Sequence, residues 1–340
     1  MNSRPPPTLQ ERFSGCLLGA MIGDVIGAAV EAESPGYIRK VFKSLDDILA
    51  LKTVPELIAG EWEVGRFTDD TQMLLCVAEW LVEGRLQGKA LLERFCAAYE
   101  PWRHYGPGTR LILESFSGAG DRWPALATAM FPQGSYGNGS AMRVAPVGLF
   151  LHNDLTSLID VARISSETTH SHYLAIHGAA LQATAVALAA RGMAGDGSGF
   201  VRMLGTALSQ FQEAGEDISV YQEALARMHE GLARRVDPTK MAQLFGNGVK
   251  AHESVPTAIY CFLSNSASFE KALQTAIFLG GDTDTIACMT GAIAGASLGA
   301  SAIPERWLSR ITEPEYTPGK VRDIANALYR AAEHRSFAAK

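Results

Sequence analysis

The sequence is poor in charge and in cysteine. Asp, Glu, Lys and Arg account for only 19% of its 340 residues, and 30 basic against 36 acidic side chains give a net charge of −6. This composition argues against a nucleic-acid-binding protein that uses a broad basic face. The five cysteines are odd in number and form no CxxC pair, so we interpret them as reduced core residues. That interpretation favours a reducing compartment, and we expect a cytoplasmic protein.

The sequence also lacks a convincing membrane segment. Residues 15–30 resemble the core of a signal peptide, but Asp24 interrupts them and little positive charge precedes them. Residues 286–303 are uncharged, yet most are Ala, Gly, Ser and Thr rather than Leu or Ile. Buried helices explain both stretches better, and we expect no contact with a membrane.

Alternating apolar patterns long enough to predict a strand are absent, whereas helical periodicity recurs along the chain. We therefore predict an all-α protein with one domain at 8–336, after a disordered tail at 1–7. Thr8, followed three residues later by Glu11, is a plausible N-cap for the first helix. Further helices are predicted at 45–51, 89–99, 109–116, 141–151, 155–166, 173–191, 200–213, 220–233, 251–263, 269–278, 304–310 and 320–333.

Residues 32–65 form the least regular part of the chain. The helical pattern weakens there, prolines and glycines interrupt it, and only the short piece at 45–51 keeps it. We interpret the segment as a long excursion over the surface, of the kind that often forms a lid.

Small residues recur at every fourth position in two stretches. The first is glycine at 15, 19, 23 and 27, and the second is Ala or Gly at 287, 291, 295 and 299. Glycine inside a helix costs up to about 1 kcal/mol relative to alanine, and close helix packing would offset that cost. Each ridge could face large side chains of another helix, or the two ridges could face each other or a shared neighbour. The latter arrangement would bring Asp24 and Glu31 towards Asp282 and Asp284.

Two clusters of Asp and Thr precede helices, at 68–71 and at 282–285. Asp and Thr are preferred N-caps, and a carboxylate in the first helical turn gains up to about 1 kcal/mol from the helix dipole, so capping explains a single cluster. Capping needs only one residue at each helix start, whereas each of these clusters contains two neighbouring carboxylates. Like charges this close repel each other unless they share a cation. Oxygen ligands favour Mg²⁺ or Mn²⁺ over zinc. The five or six carboxylate and hydroxyl ligands in the two clusters suit two ions, which would bind a diol or activate a water.

A glycine-rich loop, FPQGSYGNGSAMR, spans residues 131–143. Its glycines would let backbone N–H groups converge on an anion, helped by the positive end of the next helix. Phe131 and Tyr136 could stack on a base. Such a loop is more often only a turn, although two further glycine-containing turns occur, GNG at 246–248 and YGPG at 105–108.

Two histidines, His170 and His172, lie close together in TTHSHY. They could bind a metal, but without a third partner they are more typical of a polar helix start. We assign a substrate-contact role to His170 and no role to His172.

Taken together, these motifs resemble the ADP-ribosylglycohydrolase family. The matching segments are GAMIGDVIGAAVE, FTDDTQM, GSYGNGSAMR, a Thr-His pair and GGDTDTIACMTGAIAGA, in family order across residues 13–310. The resemblance implies a compact orthogonal helical bundle that binds two divalent cations, with Mg²⁺ favoured over Mn²⁺. Within the family, the segments at 131–146 and 245–263 are similar to the animal type-three enzyme, which removes ADP-ribose from serine.

The resemblance also implies roles for individual positions. Glu31 falls where the type-three enzyme has its catalytic glutamate. The implied metal ligands are Thr68, Asp69, Asp70, Asp282, Asp284 and Thr285. The implied ADP-ribose contacts are Gly108, Gly134, Ser135, Tyr136, Gly137, Asn138, His170 and Asn247, with Phe131 or Tyr136 stacked on the adenine.

The expected function is hydrolysis of the bond between ADP-ribose and its acceptor, with a serine oxygen as the favoured acceptor. An arginine-linked substrate, or free O-acetyl-ADP-ribose or poly(ADP-ribose), would use the same site. A non-catalytic ADP-ribose reader is the alternative from another class, and Glu31 with six metal positions argues against it. The expected partners are ADP-ribosylated proteins or ADP-ribose-containing small molecules, without direct nucleic-acid binding.

Overall fold

The computed structural model describes residues 5–56 and 60–338, and helices dominate it. The prediction of an all-α bundle is confirmed. The α-helices are α1 (Leu9–Ala28), α2 (Pro35–Val41), α3 (Leu45–Leu49), α4 (Asp69–Glu83), α5 (Gly88–Ala98), α6 (Pro107–Ala119), α7 (Gly139–Met142), α8 (Ala145–Phe150), α9 (Leu155–Glu167), α10 (Tyr173–Ala190), α11 (Gly197–Glu213), α12 (Ser219–Ala233), α13 (Pro238–Phe245), α14 (Ala251–Ser264), α15 (Phe269–Ile277), α16 (Thr283–Leu298), α17 (Glu305–Leu308) and α18 (Pro318–Ala338). Short 3₁₀ segments lie at Gly120–Thr128, Met193–Gly195 and Ala300–Ala302.

The prediction that the chain contains no strand is wrong in one place. Strands β1 (Thr53–Glu56) and β2 (Gly60–Glu63) pair antiparallel, with Val54 opposite Trp62. Strands of four residues are too short to show an alternating pattern in the sequence. Trp62 is only 3% exposed, so this hairpin from the irregular segment is packed against the rest of the protein.

Two helices were not predicted, and both begin with proline. Ser34 caps α2, which has Pro35 at its first position, and Asp237 caps α13, which has Pro238 there. Proline interrupts a helical pattern in its interior but is favoured at the first helical position, where its missing N–H needs no partner. The predicted helix at 141–151 is divided into α7 and α8 for a related reason, because Pro146 lies in the first turn of α8.

Helix α1 begins as predicted. The hydroxyl of Thr8 accepts a hydrogen bond from the Glu11 amide at 3.2 Å, and the Glu11 carboxylate accepts from the Thr8 amide at 2.7 Å. This reciprocal pair is a capping box. Of the tail predicted at 1–7, residues 1–4 lie outside the described chain, and the Pro7 carbonyl accepts a hydrogen bond from Arg12.

The two ridges of small residues face each other, which confirms the sharper of the two interpretations. A Cβ added to any glycine of the α1 ridge would lie within 2.5 Å of a backbone carbonyl oxygen of α16, so no other residue fits without moving a helix. The distances from the added Cβ to the opposing oxygen are 2.4 Å for Gly15 and Gly295, 2.2 Å for Gly19 and Gly291, 2.2 Å for Gly23 and Ala287, and 2.4 Å for Gly27 and Thr283.

Because this pairing is antiparallel, the end of α1 lies beside the beginning of α16. The Thr283 hydroxyl donates to the Gly27 carbonyl at 2.8 Å and fixes the two ends together. Both helices are buried on nearly every side, which explains why charged residues are few in them. The ridge thereby determines where the polar residues that follow Gly27 and precede Thr283 meet.

Helix α10 passes through the same core. Within the described residues it alone is long and apolar enough to span a membrane, and 89% of it is buried inside the fold. All five cysteines are free, and four of them are buried.

Candidate active site

Asp24 caps helix α4 from another helix. Its buried carboxylate accepts hydrogen bonds from the amide and hydroxyl of Thr68, at 3.1 and 2.9 Å. It also accepts from the amide and hydroxyl of Thr71, at 3.0 and 2.6 Å. These bonds satisfy amides at the start of α4 that have no partner within the helix. The neighbouring carboxylates Asp69 and Asp70 are therefore not needed as caps.

Asp69 and Asp70 are buried in the first turn of α4. The Asp69 amide donates to the Arg103 carbonyl at 2.8 Å, which fixes the turn. Burial raises the pKa of Asp69 to about 8, and repulsion from Asp24 and Glu31 adds to this rise. Burial also raises the pKa of Asp70 well above its ordinary value, and Oδ1 of this carboxylate has no hydrogen-bond partner. Both groups are thus held in an environment that disfavours their charge.

The turn before α16 is held by Asn247. Its side-chain amide donates to the backbone carbonyls of Leu279 and Gly280, at 3.1 and 2.9 Å. The backbone carbonyl of Asn247 accepts from the Asp282 amide at 3.0 Å. Gly281 has a φ of 78°, and a Cβ there would lie 2.4 Å from the Asn247 carbonyl oxygen. Only glycine fits this turn, which aims Asp282 at the site.

Asp282 and Asp284 begin α16 on the other side of the cluster. The Asn138 side chain donates to Oδ2 of Asp282 and also to the Ser254 hydroxyl at 3.0 Å. Burial raises the pKa of Asp282 to about 6. Burial and then repulsion from Glu31 raise the pKa of Asp284 well above its ordinary value. Like Asp70, Asp284 has a buried Oδ1 without a partner.

Glu31 completes the cluster at its open side. Glu31, Asp282 and Asp284 each offer an oxygen, and these atoms lie within 4.8 Å of one another. The side chain of Glu31 is 37% exposed, whereas the aspartates are buried. Nδ1 of His104 lies 3.2 Å from Oε2 of Glu31. The one carboxylate that reaches solvent is therefore the one predicted to be catalytic.

The cluster is chemically suited to divalent cations. It contains five carboxylates, two of which have a buried oxygen without a hydrogen-bond partner. Burial and mutual repulsion oppose the ionisation of the four aspartates among them, and a shared cation would reverse that effect. All the donors are oxygen, which Mg²⁺ and Mn²⁺ prefer. The residues present therefore fit the predicted metal ions.

A cleft of about 410 Å³ runs from the cluster to the surface. Phe131 and Tyr136 also line it, and they are 43% and 46% exposed. A Cβ at Gly108 would lie 3.0 Å from the Phe131 ring, so glycine lets that ring lie close to the start of α6. The predicted site residues that line the cleft are Glu31, Asp69, Asp70, Gly108, Phe131, Ser135, Tyr136, Gly137, Asn138, His170, Asp282, Asp284 and Thr285.

Three predicted site residues do not line the cleft. Thr68 is fully buried, with its hydroxyl bonded to Asp24 and Asp70. Gly134 has a φ of 81°, and this part of the glycine-rich loop packs against Ser171. Asn247 uses its amide on the turn before α16. These three residues therefore surround the cleft without lining it.

His170 presents a ring nitrogen to the cleft. The Thr169 hydroxyl accepts a hydrogen bond from Arg143 at 2.9 Å, and its oxygen lies 2.7 Å from Nδ1 of His170. This contact orients the ring, so that Nε2 of His170 faces Gly137 and Gly139. Burial, together with Arg143, lowers the pKa of His170 to about 3, so the ring is neutral. A neutral imidazole whose Nε2 carries the proton can donate to a phosphate oxygen.

His172 lies outside the cleft. Its Nδ1 accepts from the Leu174 amide at 3.2 Å and caps α10. The interpretation of this residue as part of a polar helix start is confirmed.

Among the residues of the site that were not predicted, four have polar side chains with a contact that the structure defines. Arg143 and Thr169 orient His170, and both stand within motifs that the sequence displays. Lys250 lines the cleft, where it forms an ion pair of 2.9 Å with Glu253. His104 contacts Glu31 across 73 positions of sequence, and no local pattern reveals such a contact.

Comparisons with known proteins find similarity over nearly the whole chain. The sequence profile of a family described as ADP-ribosylglycohydrolase matches residues 5–337. ADP-ribosylhydrolase ARH3 of Bos taurus is 35% identical over 325 residues, covering 87% of this chain and 87% of that protein. ADP-ribosylhydrolase ARH3 of Homo sapiens is 35% identical over 326 residues, covering 87% and 88%. A solved structure named "ADP-ribosylglycohydrolase-related protein complex" has a TM-score of 0.68 at 28% identity, covering 95% of this chain and 99% of that one.

Proposed function

This chain belongs to the ADP-ribosylglycohydrolase family and is a hydrolase, and on that premise we propose that it cleaves the bond between ADP-ribose and a serine side chain. One observation carries the proposal. The exposed carboxylate of Glu31 stands within 4.8 Å of two buried aspartates, at the end of a cleft of about 410 Å³. That arrangement offers a proton carrier beside a metal-binding cluster, in a space suited to an extended small molecule.

The residues that would hold two cations are those at the starts of α4 and α16. They are Thr68, Asp69, Asp70, Asp282, Asp284 and Thr285. When bound, Mg²⁺ ions would supply positive charge that attracts ribose hydroxyls and lowers the pKa of a bound water. The partnerless oxygens of Asp70 and Asp284 support this assignment, because each lacks the partner that a buried oxygen normally has.

Glu31 would carry the proton of the reaction. It is not buried with the aspartates, so it can exchange protons with solvent between turnovers. In hydrolysis, a carboxylate at this place takes a proton from the attacking water or gives one to the departing serine oxygen. The bond between the anomeric carbon and that oxygen breaks, and the water oxygen takes its place on the carbon.

The rest of the cleft would hold the nucleotide. Nε2 of His170 faces the loop at 135–139, where it would donate to the pyrophosphate together with backbone N–H groups. Phe131 and Tyr136 offer partly exposed rings for the adenine. The cleft thus combines a carboxylate cluster, polar groups and aromatic rings, as the ribose, pyrophosphate and adenine of ADP-ribose require.

Serine is the proposed acceptor because the segments at 131–146 and 245–263 resemble the type-three enzyme. The proposal is tested on peptides carrying ADP-ribose on serine or on arginine, with O-acetyl-ADP-ribose and poly(ADP-ribose) alongside. We expect release of ADP-ribose from the serine peptide in Mg²⁺ and none in EDTA. Release from arginine alone would contradict the linkage, and full activity in EDTA would contradict the metal. Tight ADP-ribose binding without any hydrolysis would indicate a reader.

A further inference from the structure

Two residues with strained backbones flank the carboxylate of Glu31. Among the described residues, the non-glycine positions with positive φ are Ala32, His104 and Arg235, at 62°, 62° and 52°. Ala32 follows Glu31 in the chain, and His104 contacts its side chain. A side chain in this region is strained and persists only where the surrounding structure holds it. Because Ala32 and His104 both adjoin the Glu31 carboxylate, one structural requirement at Glu31 would explain the backbone strain of both.

The backbone beside Glu31 is held by the turn before α16. The Ala32 amide donates to the Gly281 carbonyl at 2.9 Å, and the Gly281 amide donates to the Glu33 carbonyl at 3.3 Å. This exchange ties the segment after α1 to the glycines that aim Asp282. The main chain of Glu31 is thus fixed relative to the aspartate cluster.

The backbone at His104 is held from the opposite side. Arg103 donates to both carboxylate oxygens of the buried Glu313, at 2.8 and 3.0 Å. The carbonyl of Arg103 accepts from the Asp69 amide at 2.8 Å. His104 therefore follows a residue that is anchored both to a buried ion pair and to the start of α4.

The imidazole of His104 is also held by the hairpin. Its ring lies against the Trp62 indole, with 4.5 Å between centroids and 45° between planes. Trp62 is almost fully buried, so it forms a fixed wall. The contact explains what the unpredicted strands β1 and β2 do, because they bring this tryptophan to the ring that touches Glu31.

We propose that His104 is a positioning residue that sets the orientation of Glu31. A glutamate side chain that is 37% exposed would otherwise sample several rotamers. Nδ1–H of His104 donates to Oε2 at 3.2 Å and leaves the other oxygen for the cluster and the substrate. At its positive φ, the His104 ring contacts both Trp62 and Glu31, and these contacts hold the strained backbone in place.

This inference rests on the proposed function, and its test compares glycine and asparagine at one position. His104→Gly removes the ring and relieves the strain, because glycine adopts positive φ freely. His104→Asn tolerates the same φ and can place an amide where Nδ1 lies. Arg235→Gly is the matched control, since it relieves similar strain at the end of α12 and leaves the cleft intact.

The measurement is kcat and KM for a serine-ADP-ribosylated peptide, with ADP-ribose affinity from calorimetry and melting temperatures. We expect His104→Gly to lower kcat by about 10- to 100-fold, the cost of a misplaced catalytic group. KM, ADP-ribose affinity and melting temperature should stay near wild type, and His104→Asn should recover most of kcat. Arg235→Gly should match wild type in kcat.

Three outcomes would overturn the inference. The first is that the wild type is active and His104→Gly has the same kcat, a result that leaves the proposed function intact. The second is a loss of melting temperature or ADP-ribose affinity that accounts for the loss of kcat, which would make His104 merely structural. The third is a wild type that binds ADP-ribose but hydrolyses no linkage, which overturns the proposed function together with this inference.

Discussion

The contact between α1 and α16 makes a sharp prediction about two glycines at opposite ends of one ridge. A Cβ at Gly15 or at Gly27 would lie 2.4 Å from a carbonyl oxygen of α16. Carbon and carbonyl oxygen approach to about 3.3 Å at closest, so either alanine would push the helices apart by about 0.9 Å. The obstacle in both cases is backbone, which cannot rotate away as a side chain can.

The stability cost can be worked from this displacement. Overpacking a core costs about 1–3 kcal/mol, and a rigid backbone contact belongs at the upper end of that range. Alanine returns up to about 1 kcal/mol of helix propensity. We expect Gly15→Ala and Gly27→Ala each to reduce the free energy of unfolding by about 2 kcal/mol, measured by urea denaturation.

The two variants should differ in metal binding. The Cβ at Gly27 would also lie 2.6 Å from Cα of Asp284, whereas Gly15 lies against Gly295 at the far end of α16. Displacing a residue that supports a metal ligand typically lowers affinity about 10-fold or more. Calorimetric titration with Mg²⁺ should show this loss for Gly27→Ala and a much smaller one for Gly15→Ala.

Gly205 provides the matched control. It lies within α11, and the nearest atom to an added Cβ is 4.0 Å away. Gly205→Ala should therefore stabilise the protein by up to about 1 kcal/mol. If the two ridge variants are stabilised to the same extent, close approach does not explain the ridge. Equal Mg²⁺ affinities for Gly15→Ala and Gly27→Ala would refute its role in joining the two halves of the site.

Two further predictions concern the charges around the cluster. The raised pKa values of Asp69, about 8, and Asp282, about 6, mean that the metal-free native state binds more protons than the unfolded state, so their contribution to stability should be lost as pH rises from about 4 to 8. Saturating Mg²⁺ should reverse that loss, and urea unfolding at pH 5 and pH 8 that shows the same Mg²⁺ effect at both would contradict it. Arg103→Met should cost about 2–3 kcal/mol in unfolding free energy, because it removes two charged hydrogen bonds from the buried Glu313 carboxylate and leaves it only the Phe67 amide at 3.1 Å and Arg66 at 3.6 Å. Adding Glu313→Gln should recover part of this cost, and purely additive losses would show that the two side chains are not coupled.

The parts of the structure that the sequence predicts are those with a local pattern. Glycines at every fourth position indicate a close helix contact, and the structure pairs Gly15 with Gly295. Carboxylates crowded at two helix starts indicate a shared cation, and Asp70 and Asp284 lie in one cluster. In both cases a physical cost visible in the sequence requires a compensation in the fold.

The parts that it does not predict depend on contacts between distant residues. Nothing near His104 indicates a left-handed backbone, because that region is ordinarily occupied by glycine, and its partner Glu31 is 73 positions away. The hairpin that brings in Trp62 has strands of only four residues. Asn247 stands in a glycine-rich motif typical of ligand contact, yet its amide holds the neighbouring turn.

The central claim is that Glu31, beside a cluster of metal-binding aspartates, carries the proton in hydrolysis of ADP-ribose linkages. The direct measurement is the rate of ADP-ribose release from a serine-ADP-ribosylated peptide by wild type and by Glu31→Gln, at saturating Mg²⁺, with ADP-ribose affinity measured in parallel. The account predicts a loss of about 10²- to 10⁴-fold in rate and little change in affinity. A variant that releases ADP-ribose at the wild-type rate would contradict it.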